Sequence, residues 1–273
     1  MAPSMPPFLE PRNGLGGNLP RLLLIMRKLL GPQGCPWDQQ QTLSSLRRYV
    51  LEEACEVIDA IDENDPDALR EELGDLLLQI AFQSELSRNK GDFDIDRVID
   101  GICDKLVRRH PHIFSDTKVK NAEQVHQNWE RIKATEKQRM SILDGIPTSL
   151  PALARAQRLG EKSARVGFDW PHLEGCREKV NEELSELDDA LAAHDRESAA
   201  EELGDLLFAL ANLARHIGVD AEMALRETNE KFVRRFQQVE QRVRVDHGGF
   251  ESGPIDIDTL ERYWQQAKQK EPQ

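Results

Sequence analysis

The sequence predicts an all-α fold made of two copies of one helical unit, and three observations carry that prediction. Aromatic residues make up only 5% of the 273 residues while 31% are charged, so the side chains that favour strands are scarce and Leu, Ala, Glu and Arg dominate. Apolar residues recur at three- and four-residue spacing through both halves. The heptapeptide Glu-Glu-Leu-Gly-Asp-Leu-Leu occurs twice, at 71–77 and at 201–207.

The repeat extends well beyond the heptapeptide. Leu19-Pro20-x-Leu22 returns as Leu150-Pro151-x-Leu153, and Trp37-Asp38 has a counterpart in Asp169-Trp170. Glu52-Glu53-x-x-Glu56 returns as Glu182-Glu183-x-x-Glu186, Lys105-x-x-x-Arg109 as Lys231-x-x-x-Arg235, and Trp129-x-x-x-Lys133 as Trp264-x-x-x-Lys268. The order is kept, which is the signature of a tandem duplication. Four segments follow: a Pro- and Gly-rich loose leader over 1–18, an N-terminal helical domain over 19–139, a linker over 140–149 around Asp144-Gly145 and Pro147, and a C-terminal helical domain over 150–270.

Within the first domain, Leu46, Val50, Leu51, Ala54, Val57, Ile58 and Ile61 predict a helix over about 41–62. Leu69, Leu73, Leu76, Leu77, Ile80 and Ala81 predict a second over about 67–87, with the break at Asn64-Asp65-Pro66. Further helices fit near 94–109 and 121–137. The second domain repeats the pattern, with its turn at His194-Asp195.

The net charge of −13 disfavours binding to nucleic-acid phosphates, so no nucleic-acid partner is expected. The apolar cluster Leu22–Met26 is too short to span a membrane or to serve as a signal core. Cys35, Cys55, Cys103 and Cys176 lack zinc-ligand spacing and read as free thiols of a reducing, cytoplasmic setting.

The acidic positions carry the chemistry. Glu52, Glu53 and Glu56 occupy i, i+1 and i+4, as do Glu71, Glu72 and Asp75. At about 100° per residue each triplet spans an arc of roughly 100° on its helix. An antiparallel hairpin about Asn64 brings Glu56 level with Glu71, and Glu52 or Glu53 level with Asp75. The same relation holds about His194 for Glu182, Glu183, Glu186, Glu201, Glu202 and Asp205. Up to six carboxylates therefore face one another in each half. Crowded like charges are unfavourable alone and favourable around a hard divalent cation, Mg²⁺ or its substitute Mn²⁺. A mid-helix glycine costs about 1 kcal/mol relative to alanine, so Gly74 and Gly204 suggest a close backbone approach. Lys231 and Arg235 share a helix face suited to phosphate oxygens. Trp264 and Lys268 share another, and an exposed Trp is able to stack on a base.

Gly34-Cys35-Pro36-Trp37-Asp38, the two Glu-Glu-x-x-Glu and Glu-Glu-Leu-Gly-Asp motifs, Lys-x-x-Arg-Arg and the late Trp-x-x-x-Lys together resemble the MazG family of tandem-domain nucleoside triphosphate pyrophosphohydrolases, from about Leu19 to Lys270. The resemblance implies helical bundles completed in a homodimer. It implies Mg²⁺-dependent hydrolysis of (deoxy)nucleoside triphosphates to monophosphate and pyrophosphate, serving nucleotide-pool clean-up or regulation. It implies Glu183, Glu186, Glu202 and Asp205 as metal ligands, with Glu182 beside them in the catalytic group. It further implies Lys179, Glu182, Glu183, Glu201, Asp205, Lys231, Arg235, Trp264 and Lys268 as nucleotide contacts. In the first half it offers Glu53, Glu56, Glu72 and Asp75 as metal ligands, with Lys105, Arg109, Trp129 and Lys133 as basic and aromatic partners. Tyr49 stands where the second half has Lys179, which separates the halves and favours the second as the main catalyst.

Two other classes share part of this pattern. A non-catalytic nucleotide- or metal-binding regulatory module would tolerate loss of the acids, yet both copies keep all six. Another Mg²⁺-dependent diphosphate-processing helical enzyme of the terpene-synthase kind needs an aromatic-lined cavity, which 5% aromatic content supplies poorly.

Overall fold

The structure, a computed structural model, describes residues 16–115, 117–136 and 141–270. Every regular element among them is helical. The chain divides into two compact units, Met1–Lys137 and Gln138–Gln273. Most of the predicted leader and Met140 of the predicted linker lie outside the described residues.

The first unit contains α1 (Leu19–Leu30), the single turn α2 (Pro36–Gln39), α3 (Arg47–Asp62), α4 (Pro66–Lys90), α5 (Ile95–Arg109), the single turn α6 (Pro111–Phe114) and α7 (Ala122–Thr135). Helices α3 and α4 form the predicted hairpin, and α1 packs on α4. The helix expected from about residue 41 starts later, at Arg47. Thr42 and Ser45 stop it: the Thr42 amide donates to Ser45 Oγ (2.9 Å) and the Ser45 amide to Thr42 Oγ1 (3.1 Å), which closes a separate turn. At the other end, α4 runs three residues beyond the predicted 87, until Gly91 takes a left-handed conformation, φ 80°.

The second unit contains α8 (Ala152–Ala164), α9 (Leu173–Ala192), α10 (Arg196–His216), α11 (Ala221–His247), a 3₁₀ turn at Phe250–Ser252 and α12 (Ile257–Lys270). Helices α9 and α10 pair along their length, α8 packs on α10 and α11, and α12 packs on α11. On α8, a Cβ added at Gly160 would lie 2.8 Å from Asn212 Oδ1, so glycine is what lets α8 approach α10.

The two hairpins turn in the same way. Asn64 and His194 both have φ 55°, a left-handed conformation in which Asn and His are several-fold enriched among non-glycine residues. The Asn64 amide donates to Ile61 O and the Asp65 amide to Ala60 O. His194 and Asp195 repeat this with Leu191 O and Ala190 O. These are Schellman closures of α3 and α9. Asp65 then caps α4 by accepting from the Asp67 and Ala68 amides, and Asp195 caps α10 by accepting from Glu197 and Ser198. One residue ends the first helix and the next begins the second, which fixes the register of the facing acids.

The core of the first unit is Met26, Leu46, Ala81 and Phe82, and that of the second includes Val239, Val243 and Tyr263. Buried Glu85 sits under α1, where Arg27 Nε (3.1 Å) and Arg88 Nε (2.6 Å) neutralise it. Much of the apolar stripe that predicted α3 and α4 is nevertheless exposed within the chain: Leu51, Ile61, Leu73, Leu77 and Ile80. In the second unit the same holds for Leu203, Leu207 and Leu210. The close approach suggested by Gly74 and Gly204 is also not made here, because a Cβ at either meets nothing within 4 Å among the described residues.

Candidate active site

Two acidic clusters occupy the hairpins. On α9 and α10, Glu183, Glu186 and Glu202 each present a carboxylate oxygen within 4.8 Å of the others. On α3 and α4, Glu53, Glu56 and Glu72 do the same. Helical spacing puts the first two of each trio on one face, and the capped turns bring the third alongside. Asp75 and Asp205, one turn further along, fall outside these trios but act on them. Burial, then Asp75 and then Glu56 push the Glu53 carboxyl above its ordinary value. Burial, then Glu186, Glu183 and Asp205 do so for Glu202, and burial, then Glu56 and Asp75, for Glu72. Glu52, Glu71, Glu182 and Glu201, the remaining predicted acids, stand exposed at the rims.

The clusters differ in what touches their deepest acid. Glu183 is 4% exposed and lies 2.7 Å from Lys179 Nζ, which also reaches Glu182 at 2.8 Å. Those two carboxylates hold the Lys179 pKa well above the usual lysine value, Glu182 being the larger influence. In the first half the corresponding Glu53 accepts instead from Gln79 Nε2 at 3.4 Å, across the hairpin. Tyr49, at the position of Lys179, turns to the apolar core and meets Trp37 edge-on, centroids 6.0 Å apart.

The basic and aromatic residues assemble on other helices. Lys231 and Arg235 lie on α11, and Trp264 and Lys268 on α12. The Arg235 guanidinium lies 6.0 Å from the Trp264 ring centroid, and Phe232 lies 5.1 Å from it. Trp264 is half-buried against Val239, Val243 and Tyr263, so it is part core and not the freely exposed ring that stacking alone would suggest. In the first half, Arg109 and Lys133 lie over Trp129 at 4.9 and 4.8 Å. Glu136 bridges Arg108 and Arg109 there, and its carboxyl is lowered to about 2 by Arg109 first and Arg108 second.

A cavity of about 310 Å³ opens between α9 and α10, with Lys179, Glu183 and Asp205 at one end. Trp170, Cys176 and Asn212 line it too, and the sequence did not single them out as site residues. A signal for the last was present. Asp205, Phe208, Ala209 and Asn212 follow i, i+3, i+4, i+7 spacing, one face of α10.

Fold and site define an all-α protein that carries two equivalent acidic helix hairpins in one chain. The chain belongs to the MazG family: the MazG nucleotide pyrophosphohydrolase domain matches residues 41–114 and again 173–240. It is 48% identical over 257 residues to the nucleoside triphosphate pyrophosphohydrolase of Escherichia coli K12, covering 92% of this chain and 97% of that protein. It is 44% identical over 249 residues to the nucleoside triphosphate pyrophosphohydrolase/pyrophosphatase MazG of Thermotoga maritima, covering 90% and 94%. A similar Mycobacterium tuberculosis protein, also called nucleoside triphosphate pyrophosphohydrolase, matches at 42% identity over 135 residues, 49% of this chain and 41% of that protein. No helix among the described residues is long and apolar enough to cross a membrane.

Proposed function

We propose that the chain hydrolyses nucleoside triphosphates between the α and β phosphates, releasing monophosphate and pyrophosphate, with Mg²⁺ as its resident cation and Mn²⁺ as a substitute. The observation that carries this reading is the duplicated trio of carboxylates within 4.8 Å. Clustered oxygen donors, among which burial and neighbouring acids raise the Glu53, Glu72 and Glu202 carboxyls, fit a hard divalent ion. Glu183, Glu186 and Glu202 would hold it, with Asp205 as fourth ligand, and Glu53, Glu56, Glu72 and Asp75 would do so in the first half. When bound, the cation neutralises the triphosphate and the departing pyrophosphate.

The protein's own groups complete the reaction. A water oxygen forms the new bond to the α-phosphorus as the bond to the bridging oxygen breaks, and a cluster carboxylate takes the water proton. Lys179 moves from Glu182 and Glu183 to a phosphate oxygen, while Lys231 and Arg235 meet the charge on the leaving pyrophosphate. Glu201, Trp264 and Lys268 complete the nucleotide contacts. Lys179 makes the second half the main catalyst and leaves the first a weaker one. The activity suits nucleotide-pool clean-up in the cytoplasm.

We also infer a homodimer. The exposed Leu203, Leu207 and Leu210 flank Gly204, whose missing side chain leaves a flat apolar face of the kind a second copy covers. Chromatography of the products formed from ATP and Mg²⁺ tests the reaction: AMP and pyrophosphate are expected, and ADP with orthophosphate would exclude it.

A further inference from the structure

We propose that the cavity between α9 and α10 is the nucleobase subsite of the second half, with Trp170 as its stacking face and the Asn212 amide as the group that selects bases bearing a carbonyl at purine C6 or pyrimidine C4. The inference rests on the pyrophosphohydrolase reading and names its substrate class. Asn212 lies seven residues beyond Asp205, about 10 Å along α10 at 1.5 Å per residue. That span accommodates a sugar and base when the phosphates sit at the carboxylate end. The rest of the lining includes Trp170, Cys176, Phe208 and Ala209, an apolar setting for a flat ring.

Trp170 is held as a wall. Its ring lies against the first turn of α9, where a Cβ on Gly175 would come within 2.3 Å of Trp170 Cδ1. The preceding residue, Asp169, is fastened to α10, because its carboxylate accepts from Arg215 and lies 2.9 Å from His216 Nε2. A base laid on this ring gains the stacking that an indole gives every base.

Asn212 supplies discrimination. It is 6% exposed, and its Oδ1 accepts from Arg215 Nε at 2.8 Å. Arginine only donates, so this bond fixes which end of the amide is oxygen. Oδ1 is also the atom that a Cβ added at Gly160 of α8 would meet first, at 2.8 Å. The Nδ2 protons are therefore the function left for the cavity. They pair with the C6 carbonyl of guanine or the C4 carbonyl of uracil or thymine. An amino group in the same place, as on adenine or cytosine, sets donor against donor and leaves both unpaired. The first half cannot read bases this way, since Phe82, buried in the core, takes the place of Asn212 and Gln79 that of Ala209.

The test is kcat/KM of the full-length protein with dGTP, dUTP, dATP and dCTP, measured as pyrophosphate release, for the wild type and Asn212→Asp. The wild type should favour dGTP over dATP and dUTP over dCTP by about tenfold or more. Asn212→Asp, which keeps an acceptor for Arg215 but offers no donor to the base, should lower both ratios by about tenfold. Trp170→Leu provides a second variant and should raise KM for all four nucleotides together, with the ratios kept. Equal wild-type rates for all four, or unchanged ratios in Asn212→Asp, would overturn the base subsite while pyrophosphate release still stood. No pyrophosphate from any nucleotide would overturn the hydrolase reading itself.

Discussion

Lys179 Nζ lies 2.7 Å from Glu183 Oε1, one turn ahead of it on α9, and so places a positive charge at the most buried acid of the second cluster. The first cluster has Tyr49 at that position. Lys179→Met is expected to lower kcat/KM for nucleoside triphosphates roughly thirtyfold, the scale of one charge-assisted hydrogen bond worth about 2 kcal/mol. Steady-state kinetics check this, with circular dichroism confirming that the helices are intact.

Cation binding should stabilise the fold. A ligand that binds only the native state contributes about 2.7 kcal/mol at a concentration a hundred times its Kd. Calorimetry is expected to show Tm rising by several degrees with Mg²⁺ and falling back with EDTA. Replacing Glu56 and Glu186 together by Gln should abolish the rise, and a rise that persists would place the cation elsewhere.

Association should follow from the exposed apolar faces. Multi-angle light scattering is expected to give twice the 31.1 kDa chain mass at micromolar concentration. Leu207→Glu, which puts a charge on the face beside Gly204, should shift the protein toward one chain mass.

Glu136 makes a pH prediction. Its side chain is 14% exposed, and Arg109 and Arg108 hold its carboxyl at about 2 in the folded protein, below the ordinary value near 4.3. A depressed carboxyl contributes stability above the unfolded value, and that contribution disappears as pH falls through the folded one. Glu136→Gln should therefore cost about 1 kcal/mol at pH 7. The gap from wild type should shrink steadily below pH 4.5, as denaturant titrations at several pH values would record.

The hairpins were legible in the sequence because their causes are local. Asn64-Asp65-Pro66 and His194-Asp195 contain both the residue that ends one helix and the cap that starts the next, and carboxylate spacing does the rest. The start of α3 is not legible in the sequence because the Thr42–Ser45 turn falls inside an apolar pattern that continues across it. The apolar stripe on α4 overstated the core within one chain: Leu73, Leu77 and Ile80 are exposed, while Gln79, Ser84 and Glu85 are buried. Periodicity marks an apolar face, not what covers it. Trp170, legible only as part of the repeat, and Asn212, legible only as one position on a face of α10, gain a place in the cavity through tertiary contacts, the first through Gly175 and Asp169, the second through Arg215.

The central claim is that the α9–α10 cluster performs the hydrolysis. It is tested most directly by comparing pyrophosphate release from Glu183→Ala/Glu186→Ala with that from Glu53→Ala/Glu56→Ala, both shown to be folded. The first pair should lose nearly all nucleoside triphosphate turnover, while the second keeps a substantial part. Full activity in the 183/186 variant, or its loss only in the 53/56 variant, would contradict the account.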